Sequence, residues 1–144
     1  SGNHGGENFK GLMMYPRDFW VVKLNADGEI AWQKMLGGSR DDWGRAVEQT
    51  SDGGYVVAGD SSSSDGDVSE NHGIQDFWVV KLNADGALDW QKSLGGSSID
   101  VAYDISETKD GGYIVVGESN SSNGDISERK HKAAGTWVVK LKAN

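Results

Sequence analysis

An all-β chain assembled from repeated four-stranded antiparallel units is predicted by three observations. The segment Asp18-Phe19-Trp20-Val21-Val22-Lys23-Leu24-Asn25-Ala26-Asp27-Gly28 returns as Asp76-Phe77-Trp78-Val79-Val80-Lys81-Leu82-Asn83-Ala84-Asp85-Gly86, and a third time, shortened, as Thr136-Trp137-Val138-Val139-Lys140-Leu141. Trp20, Trp78 and Trp137 are thus spaced by 58 and then 59 residues, and a fixed period of this order marks an array of supersecondary units. The apolar residues fall in short runs of β-formers separated by Gly, Asp, Asn and Ser clusters. With 21 Gly, 6 Trp and one Pro in 144 residues, long helices are not expected.

One full period contains four strand candidates. Residues 77–82 are apolar on both faces, as an inner sheet position requires. Asn83-Ala84-Asp85-Gly86 is a tight turn into residues 88–94, which completes a first hairpin. After Gly95-Gly96-Ser97, residues 101–108 form a third strand. Lys109-Asp110-Gly111-Gly112 then turns the chain into residues 113–117, where glycine accepts positive φ cheaply. A Ser/Asn/Asp/Gly-rich stretch, residues 118–128, crosses to the next Trp-Val-Val-Lys-Leu strand. The first repeat follows the same plan: Trp32 matches Trp90, Asp52-Gly53-Gly54-Tyr55 matches Asp110-Gly111-Gly112-Tyr113, and Asp65-Gly66-Asp67 matches Asn123-Gly124-Asp125.

Four short antiparallel strands per period are what a propeller blade requires; a β-helix needs a shorter period, and a sandwich does not call for near-identical repeats. The order Trp-Val-Val-Lys-Leu, turn, Trp, Gly-Gly-Ser, strand, Asp-Gly-Gly-Tyr-Val-Val-Ala-Gly resembles kelch-type blades. It resembles more closely the roughly 60-residue tandem propeller repeats of secreted and cell-surface bacterial proteins. The resemblance implies a blade order, from the inside outward, of the residue 46–50 (or 101–108) strand, the Tyr55 or Tyr113 strand, the Trp-Val-Val-Lys-Leu strand, and the Trp32 or Trp90 strand. The chain then divides into an N-terminal insertion (1–17), a first repeat (18–75), a second repeat (76–135) and the first strand of a partial third (136–144). That gives nine strands: two outer ones, a complete set of four, and three inner ones. Nine strands are too few for a ring of the usual four to eight blades. Closure is expected from a symmetric homo-oligomer, in which the Trp20 and Trp32 strands of one copy finish the blade begun by the Tyr113 strand of another, or from the rest of a longer propeller. In the shared blade either the Trp20 or the Trp137 strand is redundant. Residues 6–17, with Phe9, Leu12, Met13, Met14 and Tyr15, are read as a loop covering a sheet edge or subunit junction, or as a partner-binding element.

A formal net charge of -8 argues against nucleic acid and anionic membrane partners, which reward clustered Lys and Arg. No apolar run approaches the roughly 18 residues of a membrane span, and the chain has no Cys, so disulfides play no part in its stability. The candidate chemistry is sparse. Asp65, Asp67 and Asp125 lie in oxygen-rich crossing loops suited to calcium, although their spacing is not that of an EF-hand and Asp-Gly or Asn-Gly turns account for the same residues. Asp42 and Asp100 recur beside the Gly-Gly-Ser corner, near the axial opening or capping the following strand, and offer carboxyls for a ligand. Trp43, replaced by Val101 in the next repeat, is the candidate for sugar stacking. The other five Trp recur and are expected in the core between blades. His4 and His72 share Asn-His-Gly, and His131 lies near the matching place; with no neighbouring Cys or His, loop hydrogen bonding is the expected role. Ser69, His72 and Asp76 fall within one loop, too close in sequence for triad geometry.

These residues predict a non-catalytic binding or scaffold module of a secreted or cell-surface protein, its partners being its own copies, the rest of a longer propeller, a glycan or another surface protein. The alternative is a carbohydrate-binding, lectin-like propeller, and after it a glycan-active hydrolase or lyase. No cofactor is implied apart from calcium.

Overall fold

The computed structural model describes residues 16–126 and 135–143. The insertion at residues 6–17 and its apolar residues therefore fall outside the described residues up to Tyr15, as do His4, His131, Ser127 and Glu128. What is described is all-β. Nine strands follow one another: β1 (Phe19–Leu24), β2 (Ile30–Leu36), β3 (Asp42–Gln49), β4 (Tyr55–Ser61), β5 (Asp76–Leu82), β6 (Leu88–Leu94), β7 (Asp100–Glu107), β8 (Tyr113–Ser119) and β9 (Gly135–Leu141). They form three antiparallel sheets, β1-β2, β3-β4-β5-β6 and β7-β8-β9. Within the complete sheet the strand order is the one expected from the repeat.

Register is the same in each sheet. Val80 opposes Val57 on one side and Gln91 on the other, with Trp78 opposite Gly59 and Ser93. Val139 opposes Val115 and Trp137 opposes Gly117 in the third sheet, while Trp20 opposes Met35 in the first. The inner strands start earlier than expected. β3 begins at Asp42 rather than Ala46 and β7 at Asp100 rather than Val101, because a bulge lets the segment before it keep pairing: Arg45 and Tyr103 are the extra residues, and Asp42 and Asp100 still oppose Ser61 and Ser119. A bulge of this kind bends the strand and re-aims its side chain.

The sheets stack face to face, and one aromatic contact sets how they do so. Phe19 of the first sheet meets Trp78 of the second with ring centroids 4.6 Å apart, and Phe77 of the second meets Trp137 of the third at 4.7 Å. Further out, Trp32 meets Tyr55 and Trp90 meets Tyr113 at 5.6 and 5.7 Å, edge and tilted geometries that aromatic quadrupoles favour. Each Phe ring sits over a glycine. A methyl on Gly59 would lie 3.0 Å from Phe19 Cζ and 1.7 Å from the Trp43 carbonyl oxygen, and one on Gly117 would lie 2.8 Å from Phe77 Cζ. Leu36, Val57, Val68, Val80 and Leu82 fill in around the first pair, and Val56, Ala58, Leu94, Ile105 and Val115 around the second.

Burial depends on position in the stack rather than on local sequence. Trp78 is fully buried, whereas Trp20, in the same motif, is 62% exposed. Ile105 is 2% exposed and its counterpart Val47 is 61% exposed. The expectation that all recurring Trp lie in the core therefore fails at Trp20, whose face of the first sheet has no sheet over it among the described residues. In the unassociated chain, truncating Trp78 to Ala is expected to lower stability by about 3–5 kcal/mol, and truncating Trp20 by less than about 1 kcal/mol. Urea unfolding midpoints of Trp78→Ala and Trp20→Ala check this difference.

Candidate functional site

Two equivalent corners, one per repeat, gather most of the polar residues that the sequence singles out. In the first, Asp42 opens β3 and is buried. Its Oδ1 accepts the hydroxyl of Ser61, and its Oδ2 accepts the Ser63 hydroxyl at 2.9 Å and the Gly38 N–H at 2.9 Å. Asp100 repeats the arrangement, accepting from Ser119, from Ser121 at 2.9 Å and from the Gly96 N–H at 3.0 Å. The crossing loop supplies the rest. Asp67 accepts the Gly37 N–H at 3.1 Å and Asp65 the Ser39 N–H at 2.7 Å; in the second repeat Asp125 accepts from Gly95 at 2.9 Å and Asn123 from Ser97 at 2.9 Å. These bonds to Ser39 hold the Asp65 carboxyl below its ordinary range. The candidate calcium ligands Asp65, Asp67 and Asp125 thus each receive a backbone N–H, and among the described residues no three His, Cys, Asp or Glu side chains are grouped to hold a metal ion.

Each corner also has a further carboxylate, Asp18 or Asp76, which stands in the sequence just before Phe-Trp. A methyl on Gly95 would meet both Asp100 Oδ2 and Asp76 Oδ1, at 2.5 and 2.8 Å, as one on Gly37 would meet Asp18 and Asp42. Asp76 is fully buried; its Oδ2 accepts the His72 N–H at 2.6 Å, and its Oδ1 has no hydrogen-bond partner among the described residues. Burial, reinforced by the like charges of Asp100 and Asp125, pushes its pKa up to about 6 against the pull of the His72 N–H. Asp18 is raised too, by burial first and then by Asp42 and Asp67. The His72 ring lies 3.6 Å from Asp125 and 3.3 Å from the Ser93 carbonyl, so it takes a loop role as expected, with a carboxylate beside it.

Around the first bulge, Arg45 pairs with the buried Asp60, which also accepts from Gln75. Burial outweighs the guanidinium and raises the Asp60 pKa. In the second repeat Tyr103 and Glu118 stand in these places, so this cluster has no recurrence in the sequence to mark it. Trp43 lies beside it. The Arg17 guanidinium lies over the Trp43 ring at 4.2 Å and Arg45 approaches it at 5.6 Å, a cation–π arrangement that leaves Trp43 38% exposed.

Two grooves flank the sheets. One of about 510 Å³ runs between β1 and β3, lined by Phe19, Val21, Lys23, Ala46, Val47 and Tyr55 among others. The second, about 700 Å³, is walled by charged groups including Asp52, Lys81, Glu107 and Lys140. Lys81 is buried and binds Asp52 at 3.1 Å, and Lys140 binds Asp110 at 3.1 Å. The Asp52 carboxyl is held down to about 2 by Thr50, the Gly54 N–H and Lys81. Lys23, their equivalent in β1, bonds only the Leu24 carbonyl among the described residues. Neither a family model nor a curated protein matches the chain.

Two measurements follow from the corners. Asp100→Asn puts an amide against hydroxyl and N–H donors, and is expected to cost about 2–3 kcal/mol in chemical unfolding. For Asp76, the unfolded chain releases the proton near 3.8 while the fold retains it to about 6. The native state therefore binds more protons in that window, and stability falls as pH rises from about 4 to about 6, then levels off. Asp76→Asn should remove this slope and raise stability at pH 7.5 by up to about 3 kcal/mol, at roughly 1.4 kcal/mol per pKa unit. Unfolding curves at pH 4.5, 6 and 7.5 read the sign directly.

Proposed function

We propose that the chain is a non-catalytic assembly module of a secreted or cell-surface protein, whose sheets are propeller blades that stack radially and close into a ring with further copies. The observation that supports this best is the complementarity of its two open ends. On the first sheet and the inner strands behind it, Trp20, Leu24 and Val47 are exposed, while their counterparts Trp78, Leu82 and Ile105 are buried. On the far face of the third sheet, Ile114 is exposed where its counterpart Val56 is fully buried. Each end shows the half of an interface whose other half is at the opposite end, so a head-to-tail contact repeats the contact already made inside the chain. Among the described residues the first sheet has two strands and the third has three, so each junction builds one shared four-stranded blade with one strand left over. With the complete sheet in the middle, every copy contributes two blades: two copies give four and three give six, within the usual propeller range of about four to eight.

The recurring polar residues fit this role. Asp42, Asp100, Asp67 and Asp125 spend their oxygens on corner N–H and hydroxyl groups, which fixes the crossing from one sheet to the next. Light scattering coupled to gel filtration is expected to give a mass two or three times 15.5 kDa, unchanged by a chelator. A mass of one chain across the micromolar range counts against ring closure, and a mass that collapses on chelation returns calcium to the corner loops.

A further inference from the structure

The β1-β2 hairpin and β9 are rivals for one place. β8 carries β9 along its edge in the register Tyr113↔Leu141, Val115↔Val139, Gly117↔Trp137. β4 carries β5 in the same register, Tyr55↔Leu82, Val57↔Val80, Gly59↔Trp78. β1 has the same Trp-Val-Val-Lys-Leu sequence as β9, yet among the described residues it pairs only with β2 and leaves its other edge beside the 510 Å³ groove. We propose that the groove receives β7 and β8 of a second copy, with β1 displacing that copy's β9 to form the blade β7-β8-β1-β2. The inference rests on the ring reading above and specifies the junction.

Three features of the free chain single out this occupant. The first is the ladder: β1 offers the edge that β5 presents to β4 and β9 to β8, so the backbone bonds lost with β9 are replaced in kind. The second is charge. Where β4 meets β5, Lys81 binds the Asp52 of the preceding Asp-Gly-Gly turn, and where β8 meets β9, Lys140 binds Asp110; Lys23 has no carboxylate among the described residues, and Asp110 of the second copy is the residue that completes its pair. The third is the aromatic stack. Trp137 stands on Phe77, and Trp20, 62% exposed, would take that position on Phe77 of the second copy. The exchange is favourable on balance because β1 arrives with β2 attached. β9 brings one strand to β8, and the hairpin brings two, so the shared sheet gains its outer strand while Val47 and its neighbours on β3 are covered by the face that bears Ile114.

The lack of native Cys makes a crosslink readable. Val22→Cys and Val115→Cys are made as separate full-length variants, mixed and oxidised, alongside the single-chain control Val115→Cys/Val139→Cys, which reports β9 in its home position. Opposed residues of adjacent strands fall within the Cα separation that a disulfide spans. A 22–115 disulfide that outcompetes the 22–22 and 115–115 products is the expected result. In addition, Lys23→Asp should weaken association about tenfold or more, since it sets two like charges face to face, and mixing Lys23→Asp with Asp110→Lys should restore it. An oligomer that forms no 22–115 disulfide and ignores Lys23→Asp overturns the strand exchange and leaves the ring standing. A chain that is monomeric in every arm, with only the 115–139 bond forming, overturns both.

Discussion

The seating of a phenylalanine ring in a well on the neighbouring sheet is the interaction on which the architecture depends. The well has a tryptophan for one wall and a glycine for its floor: Trp78 and Gly59 for Phe19, Trp137 and Gly117 for Phe77. Because Phe and Trp are adjacent in β1 and β5, they point to opposite faces, so the first and second sheets each have a Phe face and a Trp face, while the third carries Thr136 beside Trp137. Stacking is thereby directional. The glycine is required by the close approach of backbone and ring, since a Cβ at position 59 or 117 would also strike the carbonyl of the paired inner strand. The bulges at Arg45 and Tyr103 lie next to this point, where the inner strand bends past the ring.

Direction in the stack is reinforced at the corners. A carboxylate that accepts three hydrogen bonds is more tightly fixed than a neutral acceptor, because each bond is charge-assisted. Asp42 and Asp100 do this at the start of the inner strand, while Asp67 and Asp125 tie the crossing loop back to the Gly-Gly corner. Placing a third carboxylate, Asp18 or Asp76, against this pair has a cost in repulsion and desolvation, which appears as the raised pKa of both. At Asp76 the His72 N–H meets the carboxylate directly, with the His72 ring beside Asp125. The acidic residues read as calcium candidates, Asp65, Asp67 and Asp125, each accept a backbone N–H of the Gly-Gly-Ser corner.

Period, strand positions and the order of strands within the complete sheet were all legible in the sequence, because a repeat of 58 residues aligns turn with turn and apolar run with apolar run. Strand beginnings were less so. Asp42-Trp43-Gly44 reads as loop, being acidic and glycine-bearing, and only the pairing with Gly59-Asp60-Ser61 across a bulge makes it strand. Asp42 and Asp100 are legible as recurring corner residues, but which groups they bind depends on serines 19 and 21 residues away, Ser61 and Ser119 at the ends of β4 and β8 and Ser63 and Ser121 just beyond them. Asp76 carried a usable signal, its recurrence as Asp18. Asp60 and Arg45 carried none, because the second repeat replaces both, and Trp43 was legible as singular while its cover by Arg17 was not.

The contrast between Trp20 and Trp78 separates what a strand encodes from what its neighbours decide. Both lie in the same six-residue context and both donate the indole N–H to a glutamine on the adjacent strand, Gln33 or Gln91, at 2.9 Å. The local structure is therefore complete in each, and the difference in burial belongs to the stack alone. A Trp side chain buries on the order of 150–250 Å², worth roughly 4–6 kcal/mol at about 25 cal/mol/Å² as an upper figure, a sizeable share of the 5–15 kcal/mol typical of a whole domain. An array that hides this surface between sheets in its middle necessarily shows it at its ends. Substitutions at Phe19 or Phe77 therefore act on the packing between sheets, and those at Trp20 or Val47 act on surface that the chain leaves exposed, though the side-chain chemistry is alike.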